Sequence, residues 1–183
     1  MALSDKKQKV IFDYYTENGF NHSTEQIVNE LDICHKTFFN RYGSKAQSIE
    51  IAWKYWQGVC QKKWESLMEC CNHSVEELAM TLYNIYKLRF ENPHYYNYTR
   101  DHRKYLETDS FFYSAIQYAL KKGKQSYHIH EQLNSRSYTI FLLNNMFLID
   151  SEHYNKLEVL KYVLQPALTE RGMELFLEIP FAS

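Results

Sequence analysis

The sequence predicts an all-α protein in which a small N-terminal head is joined to a larger helical body. Five glycines and three prolines in 183 residues leave few breaks, and long stretches repeat their apolar residues with the 3.6-residue period of a buried helix face. The length exceeds a minimal domain and suits two such parts in one chain. The third observation is local. Residues 23–45, STEQIVNELDICHKTFFNRYGSK, compress two short helices and a tight turn into one segment, the pattern of a helix-turn-helix.

Within that segment each element has its own signal. Ser23 followed three residues later by Gln26 forms a capping box and starts a helix, on which Ile27, Val28 and Leu31 share an apolar face. A break follows at Asp32. The next short helix carries Phe38 and Tyr42 one turn apart, so both can anchor the same side. Its other face holds His35, Lys36, Thr37, Asn40 and Arg41, and residues 34–42 contain no acidic side chain. Such a face can donate to phosphates and to base edges in a major groove.

The first fifty or so residues resemble the DNA-binding domain of the tetracycline-repressor (TetR) family. Val10, Ile11 and Tyr14 fill its apolar first helix, Gly19 and Phe20 its Gly-aromatic pair, and Ser23, Thr24 and Ile27 its second helix. Ile33, Thr37, Phe38, Phe39, Tyr42, Ser44 and Lys45 continue the match through the turn, the third helix and the entry to the fourth. The chain departs from the pattern at Leu31 and Asp32, where the family usually has Ala and Gly, and at Cys34 for Ser, Lys36 for Gly and Phe39 for Tyr. Asp is among the non-glycine residues that best tolerate positive φ, so the turn should survive. Cys34 is a poorer cap than Ser. Phe39 loses a hydroxyl that the family commonly places on a phosphate, whereas Lys36 adds a cationic donor, so an altered operator rather than lost DNA binding is expected.

The resemblance implies a head over residues 1–48 that binds DNA and a regulatory, dimerising body over residues 49–183. Ser23, Thr24, His35, Lys36, Thr37, Asn40, Arg41 and Lys45 are the expected DNA contacts. His35, Lys36 and Thr37 lie near the start of the reading helix and suit base edges, with Asn40 a further candidate, while Arg41 and Lys45 suit phosphates, the latter reinforced by the dipole of the next helix. A net charge of −1 and a pI of about 6.7 give no global basic excess, so phosphate neutralisation must come from local patches. Lys6, Lys7 and Lys9 in the first helix read more simply as solvated lysines.

In the body, Ser44 should cap a long connecting helix whose stripe includes Ile49, Ala52, Trp53, Trp56, Val59, Cys60, Trp64 and Leu67. Ser74 and Glu77 suggest a capping box for the next helix, which Asn92 and Pro93 should end. Pro93 suits the first turn of a helix reaching about residue 106, and another runs from about 109 to 122 with Gly123 as its stop. Residues 131–149 are apolar around the helix circumference and, with Leu157, Val159, Leu160, Val163 and Leu164, imply a homodimer interface by the resemblance. A dimer would present two reading helices about 34 Å apart to a pseudo-palindromic, double-stranded operator. Residues 165–183 match no pattern used here.

The resemblance also implies a repressor released by a small molecule. With sixteen Tyr and eleven Phe, an aromatic or lipophilic effector is expected. Candidate lining residues are Trp56 and Trp64 in the connector, Tyr83 and Tyr86 in the next helix, Tyr95 and Tyr98 beyond Pro93, and then Phe112, Ile116 and Tyr118. Aromatic stripes at helical spacing more often fill a core. His128 with His130, and His94 with His102, lack a third ligand at metal-site spacing, so no metal and no cofactor are expected. Four cysteines without a Cys-x-x-Cys spacing read as reduced thiols, with adjacent Cys70 and Cys71 packing a helix end rather than sensing redox. Catalytic motifs such as Gly-x-Ser-x-Gly or His-Glu-x-x-His do not occur, so no enzyme is expected. No stretch approaches a membrane span and MALSDKKQKV lacks the pattern of an export signal, so a cytoplasmic location is expected. The competing reading is an adaptor or co-activator of the same fold, controlled by a protein partner and binding operators weakly or not at all.

Overall fold

The computed structural model describes residues 4–148 and 155–181, and these contain ten α-helices and no strand. The head comprises α1 (Asp5–Asn18), α2 (Thr24–Glu30) and α3 (His35–Tyr42). The connector α4 (Lys45–Met68) runs unbroken through the boundary expected at 48/49. The body follows as α5 (Ser74–Glu91), α6 (Pro93–His102), a 3₁₀ turn (Lys104–Leu106), α7 (Phe111–Gln125), α8 (Ser135–Leu148), α9 (Lys156–Leu164) and α10 (Glu170–Leu177). Ile149, expected at the end of the apolar helix, lies outside the described residues.

Local signals set most helix starts. Ser23 with Gln26 and Ser44 with Gln47 both form complete capping boxes, each satisfying two otherwise orphaned donors. Pro93 occupies the first turn of α6, where its missing N–H costs nothing. The turn after α2 is a Schellman motif. Asp32 takes positive φ (50°), its N–H donates to the Asn29 carbonyl, and the Ile33 N–H donates back to Val28.

In the head, α1 lies along α4. The buried Tyr15 hydroxyl meets Ser48 Oγ at 2.7 Å, and Ser48 in turn donates to the Lys45 carbonyl at 2.7 Å. Ile11, Ile27, Val28, Phe38 and Tyr42 close the small core beneath. In the body α5 is central, with Val75, Leu78, Leu82, Ile85 and Leu88 buried against α4 and α7 to α10.

Three sequence expectations need correction, and one segment left without a reading proves to be helical. The cap of α5 is His73, whose imidazole accepts the Glu76 N–H, while Ser74 is already helical and its hydroxyl pairs with His128 Nδ1 at 2.9 Å. The helix after Pro93 ends at His102, where Arg103 takes positive φ, instead of reaching 106. Gly123 does not stop α7. It lies inside the helix because a Cβ there would sit 2.4 Å from Ile129 Cδ1, and the stop is a second Schellman motif with Tyr127 at φ 59°. Finally, residues 165–181 include α10, capped by Thr169, with Phe176 and Ile179 buried.

The docking of α10 depends on the loop at 128, whose His128 carbonyl accepts the Thr169 N–H at 3.1 Å. A Cβ on Gly172 would lie 2.1 Å from the His128 carbonyl oxygen, and backbone cannot yield as a side chain end can. Gly172→Ala should therefore cost about 1–3 kcal/mol in urea denaturation. Gly58 in α4 has open space at its Cβ position, and Gly58→Ala should stabilise by about 0.5–1 kcal/mol in the same assay. Burial, with His73 and Arg171 adding, holds the His128 imidazole below its usual value of 6.5. Its contribution is thus complete above that value and is lost as pH falls through the lower folded value. As pH falls below about 6.5 the native chain should lose stability faster than His128→Asn, as measured by urea midpoints at each pH.

Candidate nucleic-acid interface and body groove

Helix α3 is held from behind. Phe38 and Tyr42 are both buried, their rings 5.5 Å apart, and they fix α3 on the head core with its opposite face outward. That face presents His35, Lys36, Asn40 and Arg41 to solvent, and no carboxylate interrupts it. Thr37 is half-buried and its hydroxyl lies 3.2 Å from Cys34 Sγ. Ser23 is exposed, yet its hydroxyl and N–H are both engaged with Gln26, and Thr24 behind it is half-buried. Lys45 is half-buried at the first position of α4. Of the N-terminal lysines, Lys9 is paired with Asp13 at 2.6 Å.

Phe39 lacks the hydroxyl of the family's Tyr but keeps its ring. It is 52% exposed, stacked beside His35 and edge-on to Phe38, so the outward face of α3 includes an apolar ring among its donors. Apolar side chains in a major groove read thymine methyl groups. Cys34 provides no side-chain cap to α3. The hydrogen bond from Thr37, with backbone N–H groups at the helix start, lowers its thiol pKa.

In the body, α4, the start of α5 and α7 enclose an open groove of about 990 Å³. Trp64 forms one wall, edge-on to Phe111 (5.8 Å) and Tyr118 (5.9 Å). Its indole N–H donates to Thr81 Oγ1, which fixes the ring. Gln57 enters from α4 and accepts the Phe111 N–H at 2.7 Å. Glu77 lines the groove from α5 and pairs with Lys122 of α7, while Glu65, Glu69, Asp109 and Lys54 complete its charged border.

Two of the nine aromatic and apolar effector candidates, Trp64 and Tyr118, line this groove. Trp56, Tyr95, Phe112 and Ile116 are core residues, with Trp56 stacked on Tyr95 at 5.4 Å and touching Phe112 at the same distance. Tyr98 packs on Phe20 and Tyr83 on Phe181, while Tyr86 faces Phe90. The residues missed are polar: Glu77, Gln57 and Lys122. The sequence suggests Glu77 as a capping partner, but it and Thr81 interrupt a buried face with polar groups one turn apart, and that interruption is legible in the sequence.

The thiols and imidazoles are spread through the fold. Burial raises Cys60 to about 12 and Cys71 to about 11, the latter with help from Glu76 and Glu77. His94 covers Gly19 and His102 donates to the Tyr98 carbonyl. Among the described residues no three His, Cys, Asp or Glu side chains gather as a metal site, and no helix is long and apolar enough to cross a membrane.

No protein-family model matches the sequence, and no curated protein is significantly similar to it. The fold does have a counterpart. It matches the ketosteroid transcriptional regulator KstR2 of Mycobacterium tuberculosis with a TM-score of 0.63, at 10% identity, over 92% of this chain and 98% of that one. The fold is all-α and TetR-like. At that identity the likeness extends to architecture alone, and it covers head and body together.

A TetR-like fold gives the uncapped start of α3 a testable consequence. Cys34→Ser should supply the missing N-cap and raise Tm by about 2–4 °C in a thermal melt monitored by circular dichroism.

Proposed function

We propose that this chain is a DNA-binding transcription regulator, a homodimeric repressor that reads a pseudo-palindromic operator and is released by a small molecule held in the body. The observation that carries this reading is α3: two buried aromatics fix it, and its exposed face joins His35, Lys36, Asn40 and Arg41 to Phe39 without a carboxylate. Lys36 and His35 suit base edges, Phe39 a thymine methyl, and Arg41 phosphate. Lys45 stands at the N-terminus of α4, where backbone N–H groups would also favour a phosphate. Ser23 and Thr24 are positioned by the α2 cap for backbone contacts, and Thr37 and Asn40 complete the set.

Dimerisation is supported by apolar groups left outside on α8 and α9. Phe141 and Leu148 of α8, with Leu157 and Tyr162 of α9, are 38–74% exposed, and the α8 pair lies on one stripe. A two-fold partner would cover them as the resemblance implies. The aromatic-walled groove supports the regulatory half of the reading, since pockets for small molecules combine apolar walls with few oriented polar groups.

The experiment is selection of bound fragments from random-sequence DNA at two salt concentrations, followed by titration of the recovered site. An inverted repeat is expected. Weak, salt-sensitive retention with no motif would instead support the adaptor reading. Lys36→Ala should lose discrimination at one base pair per half-site. Lys45→Ala should weaken binding to all sequences about equally and reduce the salt slope by about one per protomer.

A further inference from the structure

Among the described residues that line the groove, Glu77 is the one with a buried polar atom left without a partner. Its side chain is 6% exposed, and Lys122 pairs with Oε1. Oε2 is buried without a hydrogen-bond partner. A buried carboxylate oxygen left without a donor is costly, so such atoms are usually satisfied. The residue is among those that line the groove, and because Oε2 is covered, a donor arriving there reaches it by displacing the side chains over it.

The surroundings define what kind of donor fits. Four carboxylates, Glu65, Glu69, Glu77 and Asp109, share the groove with two ammonium groups, Lys54 and Lys122, so the local field favours a cation. The Trp64, Phe111 and Tyr118 rings stand edge to face around it and offer π surfaces. Lys122 Nζ already lies 5.6 Å from the Tyr118 ring centroid, which shows that a cation can sit against that face. We propose that the groove binds a small arylalkyl ammonium ion, whose N–H groups donate to Glu77 Oε2 while its aromatic part packs against Trp64 and Tyr118. The requirement for an N–H donor distinguishes this from a general affinity for organic cations, because a quaternary ammonium has none to give.

This names the effector class for the regulator proposed above, and it rests on that reading only for its consequence at DNA. The test is isothermal titration of the full chain with tryptamine, its N,N,N-trimethyl quaternary analogue, and the neutral tryptophol. Tryptamine should bind at least about tenfold more tightly than either analogue, as expected for a hydrogen bond to a charged group. Glu77→Gln should lose about tenfold or more of that affinity. Lys122→Met keeps the aliphatic stem but removes the competing ammonium, and should bind tryptamine more tightly, an effect no purely structural role for the pair would produce. Tyr118→Leu, at a half-exposed site, should weaken binding several-fold and serves if Glu77→Gln fails to fold. Equal affinity for amine and alcohol, or weaker binding in Lys122→Met, would overturn the proposal. Tight, Glu77-dependent binding that leaves the selected operator complex unchanged would uphold the groove and overturn the regulatory reading.

Discussion

A continuous set of aromatic rings centred on Tyr95 joins the head of this molecule to its body, and the placement of α3 and of the groove both depend on it. Tyr95 packs on Phe12 and Phe20 from the head, stacks on Trp56 of α4, and donates its hydroxyl to the Phe12 carbonyl across the junction. Trp56 then meets Phe112, Phe112 meets Phe147, and Phe147 stacks on Tyr96 and Tyr105. Burial raises the Tyr95 phenol pKa, so the hydroxyl remains a donor across the physiological range. Large planar side chains bury much area with few rotatable bonds, so such a stack is both apolar and stiff.

The stiffness matters because α4 belongs to both of the sites proposed above. Its first turn carries Lys45 and Ser48, the latter bonded to Tyr15 of the head, and its distal half carries Gln57 and Trp64 in the groove. At about 1.5 Å per residue, Lys45 and Trp64 are separated by close to thirty ångströms of continuous helix. A ligand that displaces the distal half cannot be absorbed by a break, since α4 contains none. It must act on the seating of α1 through the Tyr15–Ser48 bond, or on α6 and the Tyr95 contacts. The indole N–H of Trp53 on Thr99 and the Lys104–Glu50 pair tie α4 to this same segment.

How much of this was legible in the sequence follows from how far each cause reaches. The capping boxes at Ser23 and Ser44 need only residues three apart, so they could be read directly, as could the left-handed Asp32 and the Pro93 helix start. Ser74 failed because its hydroxyl answers to His128, 54 residues away, and the cap passed to His73. Gly123 failed for a similar reason: it is small to admit Ile129, not to end a helix. Periodicity could assign Trp56, Tyr95 and Phe112 to an inward face but could not tell a packed interior from a cavity wall, because both lie on the same stripe. Glu77 and Gln57, polar groups on inward faces, carried the more specific signal.

The charge distribution described earlier also has a kinetic meaning. With cations concentrated around α3 and carboxylates bordering the groove, a chain of near-zero net charge has an electrical polarity without a strong monopole. Such a molecule would be turned toward a polyanion as it approaches, yet held only weakly once it arrives at the wrong place. Retention on bulk genomic DNA scales with the number of phosphates neutralised, and the cations around α3 that could do so are Lys36, Arg41 and Lys45. For the regulator proposed above, such a polarity would shorten the time spent trapped on irrelevant sequence.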